Sequence, residues 1–181
     1  MISKTDVLIN NYEKVVSEPW NQNLSGQEKV WFLVYDPSEH RKVMFRLGDF
    51  EQVTRKYHRN WLHVSLADAF PVWMAEHEYR DEYFKSPTEI QDQVETGFRD
   101  FVVERIKNTI ENATELSNTV LAISDVNALF GFIKLSDVLN DLYQFNKGRM
   151  LIFFPGEYHN NHYRLMDARD GWSYLARPIT A

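Results

Sequence analysis

The strongest constraint on the fold is a set of four short apolar runs separated by segments of helical periodicity. The runs are Lys29-Val30-Trp31-Phe32-Leu33-Val34-Tyr35, Trp61-Leu62-His63-Val64-Ser65, Thr119-Val120-Leu121-Ala122-Ile123-Ser124 and Arg149-Met150-Leu151-Ile152-Phe153-Phe154. Each is too short for a buried helix and is rich in β-branched or aromatic residues, so each reads as a strand. The first runs on without apolar–polar alternation, which is the pattern of a strand covered on both faces, as in a parallel sheet. The intervening segments carry apolar residues every three or four positions. Leu8, Tyr12, Val15 and Val16 predict a helix over Thr5–Glu18, stopped by Pro19. Further helices are expected over Glu39–Tyr57, where Gly48 weakens the middle, and over Leu66–Tyr79, started or kinked by Pro71.

The longest helix is expected over Thr88–Glu115, with Thr88 and Gln91 spaced as a capping box, and another around Leu135, Leu139 and Leu142 before Asn146-Lys147-Gly148. The fourth run is expected to end at Pro155-Gly156. His162–Met166 and Trp172–Ala176 then alternate like exposed or edge strands about an Asp170-Gly171 turn. The alternation of strand and helix predicts an α/β fold: a mainly parallel sheet with helices on both faces, as a Rossmann-like or degenerate P-loop-like three-layer domain. Residues 1–181 are expected to form one domain, with 1–27 as a helical lead-in.

Composition narrows the function classes. The 181 residues hold 20 Lys+Arg against 26 Asp+Glu, a net charge of −6, which argues against broad nucleic-acid binding. There is no cysteine, so disulfides, thiolate nucleophiles and cysteine-based zinc sites are excluded. No apolar run approaches the length of a membrane span, and Met1-Ile2-Ser3-Lys4-Thr5-Asp6 does not open a signal peptide; a soluble cytoplasmic protein is expected.

In open α/β sheets, ligands sit beyond the carboxyl ends of the strands. Those ends carry Asp36, Ser65 with Asp68, Ser124-Asp125 and Glu157. Asp36, Asp125 and Glu157 form a candidate acid set for a metal- or nucleotide-dependent enzyme or binder. The same residue types cap helices in the same loops, and capping is the favoured explanation for any single one. Phosphate-gripping loops are missing: no two of the seven glycines lie within seven positions of each other, so neither GxxxxGK nor GxGxxG exists. There is no GxSxG elbow, and no lysine has an acid two positions before it. His159-Asn160-Asn161-His162 brings two imidazoles together, but with no third ligand it reads as a solvated polar turn. No metal or cofactor is expected. The cations from His40-Arg41-Lys42 to Arg59 are interleaved with Glu39, Asp49 and Glu51, the pattern of a mixed solvated face.

Aromatic residues make up 14% of the chain, more than the periodic stripes absorb. Trp20, Trp73, Tyr79, Tyr83 and Phe84 fall in turn or Pro-interrupted regions, where they are either partner anchors or a satellite core.

Three stretches carry a family resemblance. They are Phe32-Leu33-Val34-Tyr35-Asp36-Pro37; Val120 to Phe132 continuing to Leu139-Asn140-Asp141-Leu142; and Leu151-Ile152-Phe153-Phe154-Pro155-Gly156-Glu157-Tyr158 with Tyr163-Arg164-Leu165. In this order and spacing, over roughly residues 28 to 178, the chain resembles the BrxB family, a small component of bacterial BREX bacteriophage-exclusion systems. The resemblance implies a non-catalytic subunit acting beside a phosphatase-like protein, a methyltransferase and a large ATPase, and it brings no catalytic residues. Partner contact is expected through Trp73, Tyr79, Tyr83 and Phe84 or through the turn bearing Tyr158 and Tyr163. The acid set Asp36, Asp125 and Glu157 remains the enzymatic alternative.

Overall fold

The computed structural model describes residues 2–165 and 175–181. Helix α1 (Lys4–Ser17) begins with a capping box: the Ser3 hydroxyl accepts from the Asp6 amide, and the Asp6 carboxylate accepts from the Ser3 amide. Strand β1 (Val30–Tyr35) follows, and all six of its residues are buried. A 3-10 turn at Pro37–Glu39 leads into α2 (His40–Phe45) and α3 (Leu47–Lys56), then β2 (Asn60–Ser65). The single helix expected over Glu39–Tyr57 is therefore two. The break falls at Arg46, whose guanidinium pairs with Asp6 and Asp49, and not at Gly48.

Helix α4 (Ala69–Glu76) takes Pro71 in its first turn, where a missing N–H leaves no hydrogen bond unmade. The short α5 (Arg80–Lys85) was not foreseen from periodicity. The longest helical stretch is a composite. A 3-10 turn at Pro87–Ile90 is followed by α6 (Gln91–Gln93), a π-helical turn at Val94–Phe98 and α7 (Arg99–Glu111). The Thr88/Gln91 capping box does not form, because the helical path starts at Pro87 and leaves Thr88 inside the first turn. Strand β3 (Thr119–Ser124), α8 (Leu135–Leu142), β4 (Arg149–His159), β5 (His162–Leu165) and β6 (Arg177–Ile179) complete the order.

The sheet runs β2-β3-β4-β1-β6 with every neighbouring pair parallel, and β5 adds antiparallel to the far end of β4. Strand β4 does not stop at Pro155-Gly156. Its last pair with β3 is at Ile152 and its last with β1 is at Pro155, so the proline sits where parallel pairing ends. From Gly156 onward β4 becomes the first arm of a hairpin. A Cβ on Gly156 would lie 2.1 Å from the Arg164 carbonyl oxygen, which makes glycine obligatory there. Asn160 and Asn161 turn the chain at φ 49° and 64°, a type I′ turn with His159 and His162 paired beside it. The expected Asp170-Gly171 turn, and most of the strand expected over Trp172–Ala176, lie outside the described residues; the last strand occupies Arg177–Ile179.

Successive residues of each central strand enter opposite cores. Val30, Phe32, Val34, Leu121, Ile123, Ile152 and Phe154 pack beneath α4, α7 and α8. Trp31, Leu33, Tyr35, Val120, Ala122, Leu151 and Phe153 pack beneath α1, α2 and α3. The result is a Rossmann-like three-layer α/β fold.

Candidate functional site

The carboxyl ends of β1, β2 and β3 meet in one polar cluster centred on Asp125. Asp125 follows β3 in the left-handed region (φ 61°), a conformation an aspartate tolerates better than most residues. Its Oδ1 lies 3.1 Å from His40 Nε2. Its Oδ2 lies 2.7 Å from Ser65 Oγ and 2.6 Å from Ser124 Oγ. His40 Nδ1 lies 2.9 Å from the Tyr35 hydroxyl, and His63 Nε2 lies 2.9 Å from Ser124 Oγ. Thus β1 supplies Tyr35, β2 supplies His63 and Ser65, β3 supplies Ser124 and Asp125, and the start of α2 supplies His40.

Proton placement follows from the carboxylate. Burial pushes the Asp125 carboxyl up, but the Ser124 and Ser65 hydroxyls and His40 more than offset this and hold it below the usual aspartate value. An ionised carboxylate only accepts, so both serines and His40 Nε2–H donate to it. In the neutral imidazole, His40 Nδ1 is then the acceptor for the Tyr35 O–H. The single Ser124 proton goes to the charged oxygen, so Ser124 Oγ accepts from His63 Nε2–H. Burial, reinforced by the Asp125 charge, pushes the Tyr35 phenol far above its ordinary value and keeps it a donor. Both Asp125 oxygens and both serine hydroxyls have partners, and neither serine surrenders its proton to an imidazole, as an activated nucleophile must. The cluster ties three strand ends and one helix together.

The other two acids of the candidate set lie apart from it. Asp36 caps the 3-10 turn, its Oδ1 accepting from the Ser38 amide at 2.8 Å and the Ser38 hydroxyl at 2.6 Å; these bonds hold its carboxyl below the usual range. Glu157 is exposed at the root of the hairpin. Asp36 and Glu157 line one depression of about 460 Å³ with Lys4, Tyr35 and Tyr158, and Asp125 has no part in its wall. Among the described residues no group of three or more histidines, aspartates and glutamates is placed to hold a metal ion. Asp68 pairs with Arg105 instead of reaching the rim.

The aromatic candidates divide. Trp73 is only 8% exposed and packs on Phe70, Phe98 and His77; Tyr163 is fully buried and donates to the Ala176 carbonyl. Both are core residues and present no surface to a partner. Tyr83 and Tyr158 are half-buried against the same core. Tyr79, which caps α5, and Phe84 in its last turn are 58% and 68% exposed. The cations of the second predicted helical segment are largely paired: Lys42 with Glu39, Arg46 with Asp6 and Asp49, Arg55 with Glu51 and Lys56 with Glu13.

The role of His40 was not legible in the sequence. It stands among cations, 85 residues from Asp125, and the only local sign is its place just after β1. Ser65 and Ser124 were visible as strand ends, but not as donors to one oxygen.

Among the described residues no helix is long and apolar enough to cross a membrane. No curated protein and no solved structure matches the chain. The family model described as BREX protein BrxB matches residues 63–177, from β2 to the start of β6 and well over half of the sequence. The chain therefore belongs to the BrxB family, and its role is in BREX phage defence.

Proposed function

We propose that this chain serves BREX defence as a non-catalytic interaction subunit that docks on a partner of the same system, such as the phosphatase-like component, through the aromatic surface of α5. The observation that carries this reading is the exposure of Tyr79, the residue capping α5, and of Phe84 within that six-residue helix. Large aromatics left in water at this density are typical of interface anchors, because burying each against a partner removes a large apolar area at low entropic cost. Tyr83, between them, roots the helix in the main core, so the surface is presented on a fixed support. The enzymatic alternative draws no comparable support, since Asp125 has both oxygens committed to protein donors.

The test is copurification of the tagged full chain from cells expressing the whole defence system. Tyr79→Ser with Phe84→Ser is expected to weaken capture of the partner by about tenfold or more, the effect of truncating interface anchors, with the melting temperature unchanged. If the unsubstituted chain purifies free of every other system component, the reading fails.

A further inference from the structure

At the opposite end of the sheet two arginines share a corner in which, among the described residues, neither pairs with an acid. Arg149 opens β4 and is only 3% exposed. Its guanidinium donates to two backbone carbonyls, those of Gly148 and Asn21, each at 3.0 Å. Arg59, just before β2, donates to the side-chain carbonyl of Asn118 at 2.6 Å. Both guanidiniums lie close to the ring of Trp20, at 4.2 Å for Arg59 and 4.8 Å for Arg149. Neither forms an ion pair among the described residues. Among the described residues, three neutral oxygens are the hydrogen-bond acceptors of these two cations. Two donors of the same corner, Arg59 Nε and Trp20 Nε1, are buried with no partner among the described residues.

This arrangement runs against elementary electrostatics. Like charges repel, and burying a cation is strongly unfavourable unless an opposite charge accompanies it. Burial, together with the nearby Arg59 charge, pulls Arg149 below its ordinary value. Stacking on Trp20 offsets part of the cost but leaves the charge uncompensated. The chain carries six more acids than bases, yet among the described residues none pairs with either arginine. A small anion would supply the opposite charge and the acceptors that the two orphan N–H groups lack. Arg59 and Trp20 are only half-buried as residues, so the corner has a solvent-facing side, while the two orphan nitrogens are themselves closed off and are uncovered by side-chain movement when an anion enters.

We propose that the corner formed by Trp20, Arg59 and Arg149 binds a phosphate-type oxyanion. Two guanidiniums match the charge of a dianion better than that of a single carboxylate, and their flat forks fit phosphate oxygens. The Trp20 N–H and Arg59 Nε–H donate to it, and it screens the two cations from each other. This site is separate from the α5 surface and does not depend on the docking reading.

The test is thermal unfolding of the full chain in inorganic phosphate against sodium acetate at matched ionic strength and pH. Phosphate is expected to raise the melting temperature saturably, by about 3 °C at about ten times its Kd, while acetate does not. Trp20→Phe keeps the stack and removes one donor; Arg59→Gln removes one charge. Each is expected to weaken the apparent phosphate affinity about tenfold or more while leaving the circular dichroism spectrum unchanged. Phosphate also stabilises folded chains by exclusion from their surface, a response that does not saturate and is the same in the variants. Equal responses in phosphate and acetate, or a saturable response retained in full by Arg59→Gln, would overturn the proposal. Tighter binding of phenyl phosphate than of phosphate assigns the site to the end of a larger phosphomonoester; equal binding assigns it to the free ion.

Discussion

Asp125 shows how much one side chain determines when its neighbours are all donors. Removing the carboxylate in Asp125→Ala leaves two hydroxyls and an imidazole N–H without their acceptor in a half-buried place. The expected loss is about 2 kcal/mol, read from urea unfolding monitored by circular dichroism. The same residue sets a pH dependence. Its carboxyl ionises more readily in the fold than at its ordinary value of 3.8, so the unfolded chain binds the proton more tightly. The stability it contributes is present in full above that value and is lost as the pH falls through the lower folded value. Asp125→Asn is expected to flatten this acid limb, with urea midpoints between pH 5 and pH 2.5 as the readout; an unchanged slope would mean the carboxylate is not held as described.

Helices and strands follow local chemistry except where another element intervenes. The hairpin β4–β5 depends on two left-handed residues in succession, which only glycine and, at some cost, asparagine or aspartate adopt routinely. Asn160→Ala is expected to destabilise the fold by about 1 kcal/mol, while Asn160→Gly is tolerated, in the same urea assay. An equal loss in both variants would show that the asparagine side chain, not the backbone conformation, matters. The π-helical turn at Val94–Phe98 and the break at Arg46 escaped periodicity for one reason. Periodicity records which face is apolar, and a local change of helical pitch, or an exit of one residue to pair with Asp6 on another helix, leaves that face in place.

At the scale of the whole molecule the two cores share a single sheet. Phe32 and Leu33 are neighbours in sequence and lie in opposite cores, so neither core can lose its packing while the other keeps an intact β1. One cooperative unfolding transition is therefore expected for the whole chain. Coincident curves by circular dichroism and tryptophan fluorescence would check it, and two separated transitions would divide the chain into independent units.

The sequence alone determined the layered α/β class, because continuous apolar runs can be buried on both faces only inside a sheet covered by helices. It also showed that no glycine loop exists to wrap a phosphate at the strand ends, and it carried the family resemblance. It marked Asp125 as a rim residue without showing what the rim does. Only the tertiary structure decided the strand order, brought His40 to Asp125 and sent Trp73 and Tyr163 inward while Tyr79 and Phe84 stayed in water. It also placed Arg59 beside Arg149, 90 positions apart in the chain. Each of these depends on contacts between distant segments, which local pattern does not encode; they are set by which faces pack once the whole sheet has closed.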